Sequence, residues 1–388
     1  MTETTAQVVR DRGRTSATLL TDDPDISRFE AEWERLFAFP DNEPSTSFEW
    51  TQAMLRHRLA PDDRFFLVAI VRDSETVALL PLVLRSMRVF ACPVRVLCPL
   101  TDSYNTHSDV LARCLDGATV RALLAGLHDL PMRWDTFRMS NVLESHELAR
   151  HSADAIRHRP LAGLVRDAYA SYFLELPASF DEYLAARSGK FRNYLKRVER
   201  KISAESAVTV TDYVAADEVD RAYDLLLEIE RGSWKHEHGT AISAVPHQVG
   251  FYRDLCQGAA ARGRLHLQIL SLGGRPAAYN LGYICNSTYF YLKTSYGEAW
   301  KQLGVATWLR AYLIRSLIER RLRYMDFPAE PYEWERQWTE TVRWHKKVAL
   351  FNVTPVGMGL SLAERLRRDK AADRSVSHID PRSHAPRQ

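Results

Sequence analysis

A short run of residues, Trp300-Lys301-Gln302-Leu303-Gly304-Val305-Ala306, stands between two strand-like segments and a long apolar-striped helix. The first turn of a helix carries backbone N–H groups without intrahelical partners, and the aligned peptide dipoles add partial positive charge there. Such an end binds phosphate or pyrophosphate when no side chain keeps the ligand off the backbone. Gly304 and Ala306 flank Val305 and leave that backbone open, and Lys301 supplies a formal charge. The same residues also suit a plain helix start. A second concentration of charge lies in Arg187–Lys201, where seven basic residues and one acid, Glu199, give +6. Its Lys190, Arg192 and Arg197 suit an anionic substrate or a solvated helix face. His236-Glu237-His238 sets two imidazoles at i and i+2, a metal pair only if a third ligand joins. No third ligand stands out, and no metal is expected. Neither a Gly-x-Ser-x-Gly elbow nor a His-Glu-x-x-His helix occurs. The five cysteines form no Cys-x-x-Cys pair, which argues against a zinc knuckle or a disulfide framework.

The elements that must hold these residues follow from composition and periodicity. The chain has 388 residues, 46% hydrophobic and 26% charged, which is globular composition and a length for two domains. Its 52 basic against 49 acidic residues leave +3, too little for a general nucleic-acid binder. That figure is an average. Ser361–Gln388 is also net +3, so removing it and Arg187–Lys201 leaves the rest at −6. No apolar run reaches the roughly 18 residues of a membrane span. The first residues lack the apolar core of a secretory signal, so no membrane insertion and a cytoplasmic location are expected.

Residues 1–25 read as a flexible leader. Apolar spacing predicts helices over Ile26–Phe39 and Phe48–Arg58, then strands Phe65–Arg72 and Val77–Leu84, a helix near Ala118–Asp129 and a strand at Thr136–Met139. This first unit covers 26–165. The second, 166–366, opens with a strand at Tyr172–Leu176 and a short helix at Phe180–Ala185. The basic helix follows, with Phe191, Leu195, Val198 and Ile202 on its buried face. Then come a strand at Val208–Tyr213, helices over Asp217–Arg231 and Pro246–Ala261, and three strands, Leu265–Leu270, Ala277–Ile284 and Thr288–Ser295. A helix over Val305–Arg320 and strands at Arg323–Phe327 and Lys347–Asn352 complete the unit. Residues 367–388 read as a disordered basic tail.

Lys301-x-x-Gly304-x-Ala306 resembles the pyrophosphate motif Arg/Gln-x-x-Gly-x-Gly/Ala of the GNAT acyltransferase superfamily, with lysine in the first place. The wider chain, roughly 25–355, resembles the CelD-like (BioF2-like) branch related to the FemABX aminoacyl transferases. The stretches that carry this are Ser188-Gly189-Lys190-Phe191-Arg192-Asn193, Glu230-Arg231-Gly232-Ser233-Trp234-Lys235, Tyr291-Leu292-Lys293-Thr294-Ser295-Tyr296, and Asp326-Phe327 with Glu330-Pro331-Tyr332. The resemblance implies a mixed α/β fold of two tandem GNAT-like domains, each a mostly antiparallel sheet flanked by helices. It implies the acyl-donor site in the second.

Acyl transfer from a thioester needs a base for the amine, a held oxyanion and an acid for the thiolate. The resemblance makes Asp326, Glu230 and His236 candidates for the base, and Tyr296 and Tyr332 for the acid. Lys293, Lys301, Gly304, Val305 and Ala306 are candidates for holding the donor. Lys190, Arg192, Arg197, Trp234 and Lys235 are candidates for substrate or anion binding. Each also has a structural role open to it: core aromatic, surface cation or capping carboxylate. The implied activity is transfer from acyl-CoA to an amine or hydroxyl of a small molecule or saccharide precursor. An aminoacyl-tRNA-dependent transferase, or a non-catalytic binding module in a biosynthetic assembly, are the alternatives. Oligomeric state is open.

Overall fold

The computed structural model describes residues 15–89, 92–100, 107–158, 162–205, 207–327 and 332–373. The first unit runs β1 (Thr15–Thr21), α1 (Glu30–Phe37), α2 (Phe48–His57), β2 (Arg64–Arg72), β3 (Glu75–Val89), β4 (Cys92–Pro99), β5 (Leu111–Ala112), α3 (Gly117–Gly126), β6 (Thr136–Leu143), α4 (Glu147–His158) and β7 (Ala162–Glu175). After α5 (Phe180–Ala185) and α6 (Gly189–Ser203), the second unit repeats that order. It runs β8 (Val208–Tyr213), α7 (Val219–Arg231), α8 (Trp234–Glu237), α9 (Pro246–Ala261), β9 (Leu265–Leu272), β10 (Arg275–Cys285), β11 (Thr288–Tyr296), α10 (Val305–Glu319), β12 (Tyr324–Phe327), α11 (Glu333–Arg336) and β13 (Val342–Phe351). α12 (Pro355–Asp373) ends the described chain.

In each unit four antiparallel strands end on a parallel neighbour: β1-β2-β3-β4 on β6, and β8-β9-β10-β11 on β12. The turns β2–β3, β9–β10 and β10–β11 each place two residues at positive φ (Asp73-Ser74, Gly273-Gly274 and Asn286-Ser287). That is the turn whose twist matches paired strands. The units close on each other. β7 pairs with β12, and β13 is inserted between β7 and β6. The result among the described residues is one continuous sheet, mixed and mostly antiparallel, flanked by helices on both faces. A boundary at 165/166 falls inside β7.

One buried cluster lies under α1, α2, α7 and α9 and is shared by both units. There Trp50 meets Phe251 edge-on at 5.5 Å, and Glu49 accepts from Tyr283 Oη at 2.5 Å and Arg264 at 3.2 Å. A Cβ on Gly258 of α9 would lie 2.5 Å from Glu49, so α9 reaches α2 this closely only with glycine. On the other face α3 and α4 cover the first unit, and α5, α6 and α10 cover the second.

Three sequence expectations need correction. Thr15–Thr21, inside the expected leader, is a strand paired along β2. Its Thr-rich sequence alternates less clearly than a strand buried on one face, and pairing along β2 supplies what the pattern lacks. Residues 367–373, inside the expected disordered tail, continue α12; residues 1–14 and 374–388 lie outside the described residues. The last strand begins at Val342, five residues before Lys347, because it must cross both units to pair β7 and β6.

Candidate active site

β11 and β12 run parallel through three pairs, the last being Phe290 with Asp326, and then part. The cause lies on the other side of β11. Its register with β10 slips between Leu281–Lys293 and Gly282–Tyr291, leaving Leu292 as an extra residue that bends the strand. Beyond Phe290, β11 makes no ladder pair with β12 among the described residues.

α10 starts after a tight turn over Glu298–Leu303. Gly304 has φ +78°, a left-handed conformation that favours glycine, and no side chain caps the helix. The first-turn N–H groups therefore have no side-chain acceptor. α6 lies against this end. Tyr194 Oη is 3.3 Å from Thr307 Oγ1, and Lys201 Nζ donates to Gln302 O at 2.7 Å. A Cβ on Gly304 would sit 3.1 Å from Val198. The glycine is thus needed twice, for its φ and for the approach of α6. Replacing it with valine disturbs the fold as well as any ligand. Lys301 is exposed and pairs with Glu298 at 3.2 Å.

The matching helix of the first unit is built differently. α3 begins with Asp116, whose carboxylate accepts from Thr119 N at 2.8 Å and pairs with Arg72 at 2.8 Å. Hydrogen bonding to Arg72 and Thr119 holds that carboxyl well below the usual range. That N-terminus already carries an anion.

The other expected donor and substrate residues do not gather at this helix end. Lys293 points to the opposite face, its ammonium 5.4 Å from the Tyr252 ring centroid, away from Lys301 and Gly304. Lys235 reaches the parting strand itself, donating to Thr294 O at 2.5 Å, and burial pushes its pKa down. Trp234 is 41% exposed. Lys190 and Arg197 are exposed on α6, Arg197 lying over the Tyr194 ring. Arg192 is committed elsewhere: its guanidinium donates to Ala185 O and Arg187 O and caps α5.

Among the catalytic candidates, Glu230 is buried and fully engaged. It accepts from Tyr279 Oη at 2.6 Å and from the backbone of Ile242 and Ser243, which ties the loop after α8 to α7. His236 and His238 are exposed and bond to Ser243 Oγ and Trp234 O. Tyr296 is half-buried at the end of β11, and burial raises its pKa. Tyr332 is 59% exposed and leads α11, its ring stacked along Trp334.

Asp326 is fully buried where the two units meet. It contacts Arg343 of β13, and its Oδ2 lies 3.9 Å from His107 Nε2. Glu43 holds the other ring nitrogen of His107, and His345 stacks 4.9 Å from that ring while bonding Ser171 Oγ at 2.9 Å. Burial would raise the Glu43 carboxyl, but His107, His146 and Arg343 outweigh it and bring it down to about 2. Burial lowers His107, against the pull of Glu43, and brings His345 down to about 3. The ligand atoms of Glu43, His107 and Asp326 lie within 4.8 Å of one another. The two carboxylates address opposite nitrogens of one ring, and Arg343 already neutralises Asp326. This is a charge network whose geometry does not suit one ion.

Sequence reasoning missed Glu43, His107 and Arg343 because they come from distant segments. It also missed Arg310, which is buried at 5%. Arg310 donates to Tyr291 Oη at 2.9 Å, lies 3.9 Å over the Trp334 ring, and has no carboxylate within ion-pair distance among the described residues. A charged residue among Val305, Leu309, Leu313 and Leu317 was the available signal. Nearby Glu335 is pushed up to about 7 by burial, against the pull of Arg310.

Residues 189–336 match the family model of an acetyltransferase (GNAT) domain. No curated protein sequence matches the chain significantly. Among solved structures the chain is similar to FemX, at 9% identity and TM-score 0.58 over 86% of this chain and 98% of that one. It is also similar to the C-terminal domain of a putative lysylphosphatidylglycerol synthetase from Agrobacterium fabrum, at 10% identity and TM-score 0.54 over 88% and 97%. A conserved protein of unknown function from Bacteroides thetaiotaomicron gives 14% identity and TM-score 0.53 over 83% and 97%. At these identities the likeness is one of fold. Over residues 189–336, which include the glycine-led α10, the chain is similar to a GNAT acetyltransferase domain, and its two-unit fold is similar to that of FemX.

Proposed function

We propose that the protein transfers an acyl group from acyl-CoA to an amine, or to a hydroxyl, of a small molecule or polysaccharide precursor in the cytoplasm. The observation that carries this reading is the uncapped, glycine-led N-terminus of α10 inside the segment that matches the acetyltransferase model. In this reading the donor pyrophosphate takes the first-turn N–H groups at Val305 and Ala306, with Lys301 as counter-charge. The thioester lies along β11, and a β11 N–H beyond Phe290 polarises its carbonyl. The amine nitrogen attacks the carbonyl carbon and its proton passes to water, because Asp326 is buried and already paired with Arg343. The C–S bond then breaks, and the thiolate takes a proton from Tyr332, the exposed hydroxyl at the head of α11. Glu230 acts as a clamp, because its carboxylate is already filled by three donors.

One observation favours a second donor. α6 exposes Lys190, Lys196, Arg197, Arg200 and Lys201 beside the donor loop, a row that suits the phosphates of an aminoacyl-tRNA. Thermal unfolding with acetyl-CoA, and separately with aminoacyl-tRNA, decides between them. A ligand at a hundredfold its dissociation constant stabilises the native state by about 2.7 kcal/mol. The primary reading expects that shift with acetyl-CoA and turnover with an amine acceptor. A shift with aminoacyl-tRNA alone replaces it with the second.

A further inference from the structure

α5, α6 and α10 enclose a groove of about 490 Å³ on the outer side of α10, within the size range of small-molecule sites. Its floor is apolar and aromatic: Phe180, Leu184, Leu195, Trp308 and Ala311. Its rim is cationic. Lys196, Arg200 and Arg315 line it, and none of the three has an ion-pair partner among the described residues. Arg315 lies 4.6 Å over the Phe180 ring. The one acid at the rim, Glu199, is occupied by Trp308 Nε1 at 2.6 Å. Trp308 is four residues beyond Gly304, about 6 Å along the helix axis from the donor loop. Exposed aromatic surface beside unpaired cations, one turn from an anion-binding helix end, calls for a flat apolar body carrying several negative charges.

We propose that this groove binds the adenosine 3′-phosphate end of the donor, the base against Trp308 and Phe180 and the 3′-phosphate on Lys196, Arg200 and Arg315. This rests on the acyl-CoA reading and adds a handle remote from the reacting carbonyl. Binding energy from such a remote part anchors the donor without touching the chemical step.

Calorimetric titration with adenosine 3′,5′-bisphosphate tests it on the full chain. The three cations are exposed, so Lys196→Glu/Arg200→Glu leaves the core intact, which circular dichroism verifies. The proposal expects saturable binding that weakens at least tenfold in that variant and falls with added salt. Unphosphorylated adenosine should bind at least tenfold more weakly. No binding at millimolar bisphosphate, or equal binding by the variant, overturns the groove assignment. So does binding of an oligonucleotide ending in CCA when the bisphosphate does not bind. Turnover with an acyl-pantetheine, which lacks the nucleotide, separates this from the activity itself. The charge-reversed variant should raise KM for acyl-CoA at least tenfold while leaving acyl-pantetheine turnover unchanged. Loss of turnover with every thioester, in the unaltered chain, refutes the acyl-CoA reading instead.

Discussion

The two units share one strand order but end their corresponding helices in opposite ways. α3 starts on Asp116, a carboxylate held by Arg72 and Thr119, so its helix end is electrostatically satisfied from within. α10 starts on Gly304, which offers no side chain, so its end is open to an outside anion. The bulge is a second difference: β4 keeps an unbroken register with β3, whereas β11 carries the extra Leu292 against β10, while both strands pair with their parallel neighbours over only a few residues. Duplicating a framework does not duplicate a site. On the proposed function, the cap makes one copy scaffold, and its absence in the other leaves a helix end for the donor. The scaffold copy still contributes Glu43 and His107 to the network around Asp326.

Four substitutions probe that division of labour. The largest effect belongs to the seam: Arg343→Ala leaves Asp326 and Glu43 buried without their cation and should cost about 3–5 kcal/mol in urea unfolding. A small loss would mean that the units are not locked by this network. Next is His146 of the first unit, whose ring meets Asp109 at 2.6 Å. Burial would lower its pKa, but Asp109 dominates and raises it to about 9. Its folded value lies above the unfolded one, so its contribution is complete below about pH 6.5 and disappears as pH rises through 9, amounting to about 2–3 kcal/mol. Unfolding midpoints from pH 6 to 10 should fall for the unaltered chain relative to His146→Gln. Asp116→Ala, which uncaps α3, should cost about 1 kcal/mol and leave donor affinity unchanged. The smallest effect is expected of His236→Ala. The ring is exposed, so stability should move by less than about 0.5 kcal/mol, and kcat should hold; a kcat collapse would return His236 to the catalytic candidates.

Much of the framework was legible because apolar spacing reports burial directly. α2, α6, α7, α9 and α10, and the strands around the three tight turns, follow from pattern and turn chemistry. β4, β5 and the crossing halves of β7 and β13 were not legible, because their pairing is decided by partners far along the chain. The same holds for the site. The Lys301–Ala306 loop is a local motif and could be read from the sequence as a glycine-led helix start. The neighbours of Asp326 come from four separated segments, and no spacing announces them. Glu230 stood out as a carboxylate beside Trp234 and Lys235, but type and spacing cannot reveal that its oxygens are already taken.

The central claim is that the open N-terminus of α10 holds the donor phosphates. Ala306→Asp tests it by giving the N-terminus of α10 a carboxylate, as Asp116 gives that of α3. Such a residue favours the helix by about 0.3–1 kcal/mol, so the fold should be undisturbed or slightly stabilised. It also sets a negative charge against the pyrophosphate. Acetyl-CoA affinity, measured by calorimetry alongside the unfolding midpoint, should drop at least tenfold with stability retained. Unchanged affinity in a stable Ala306→Asp chain would contradict the account.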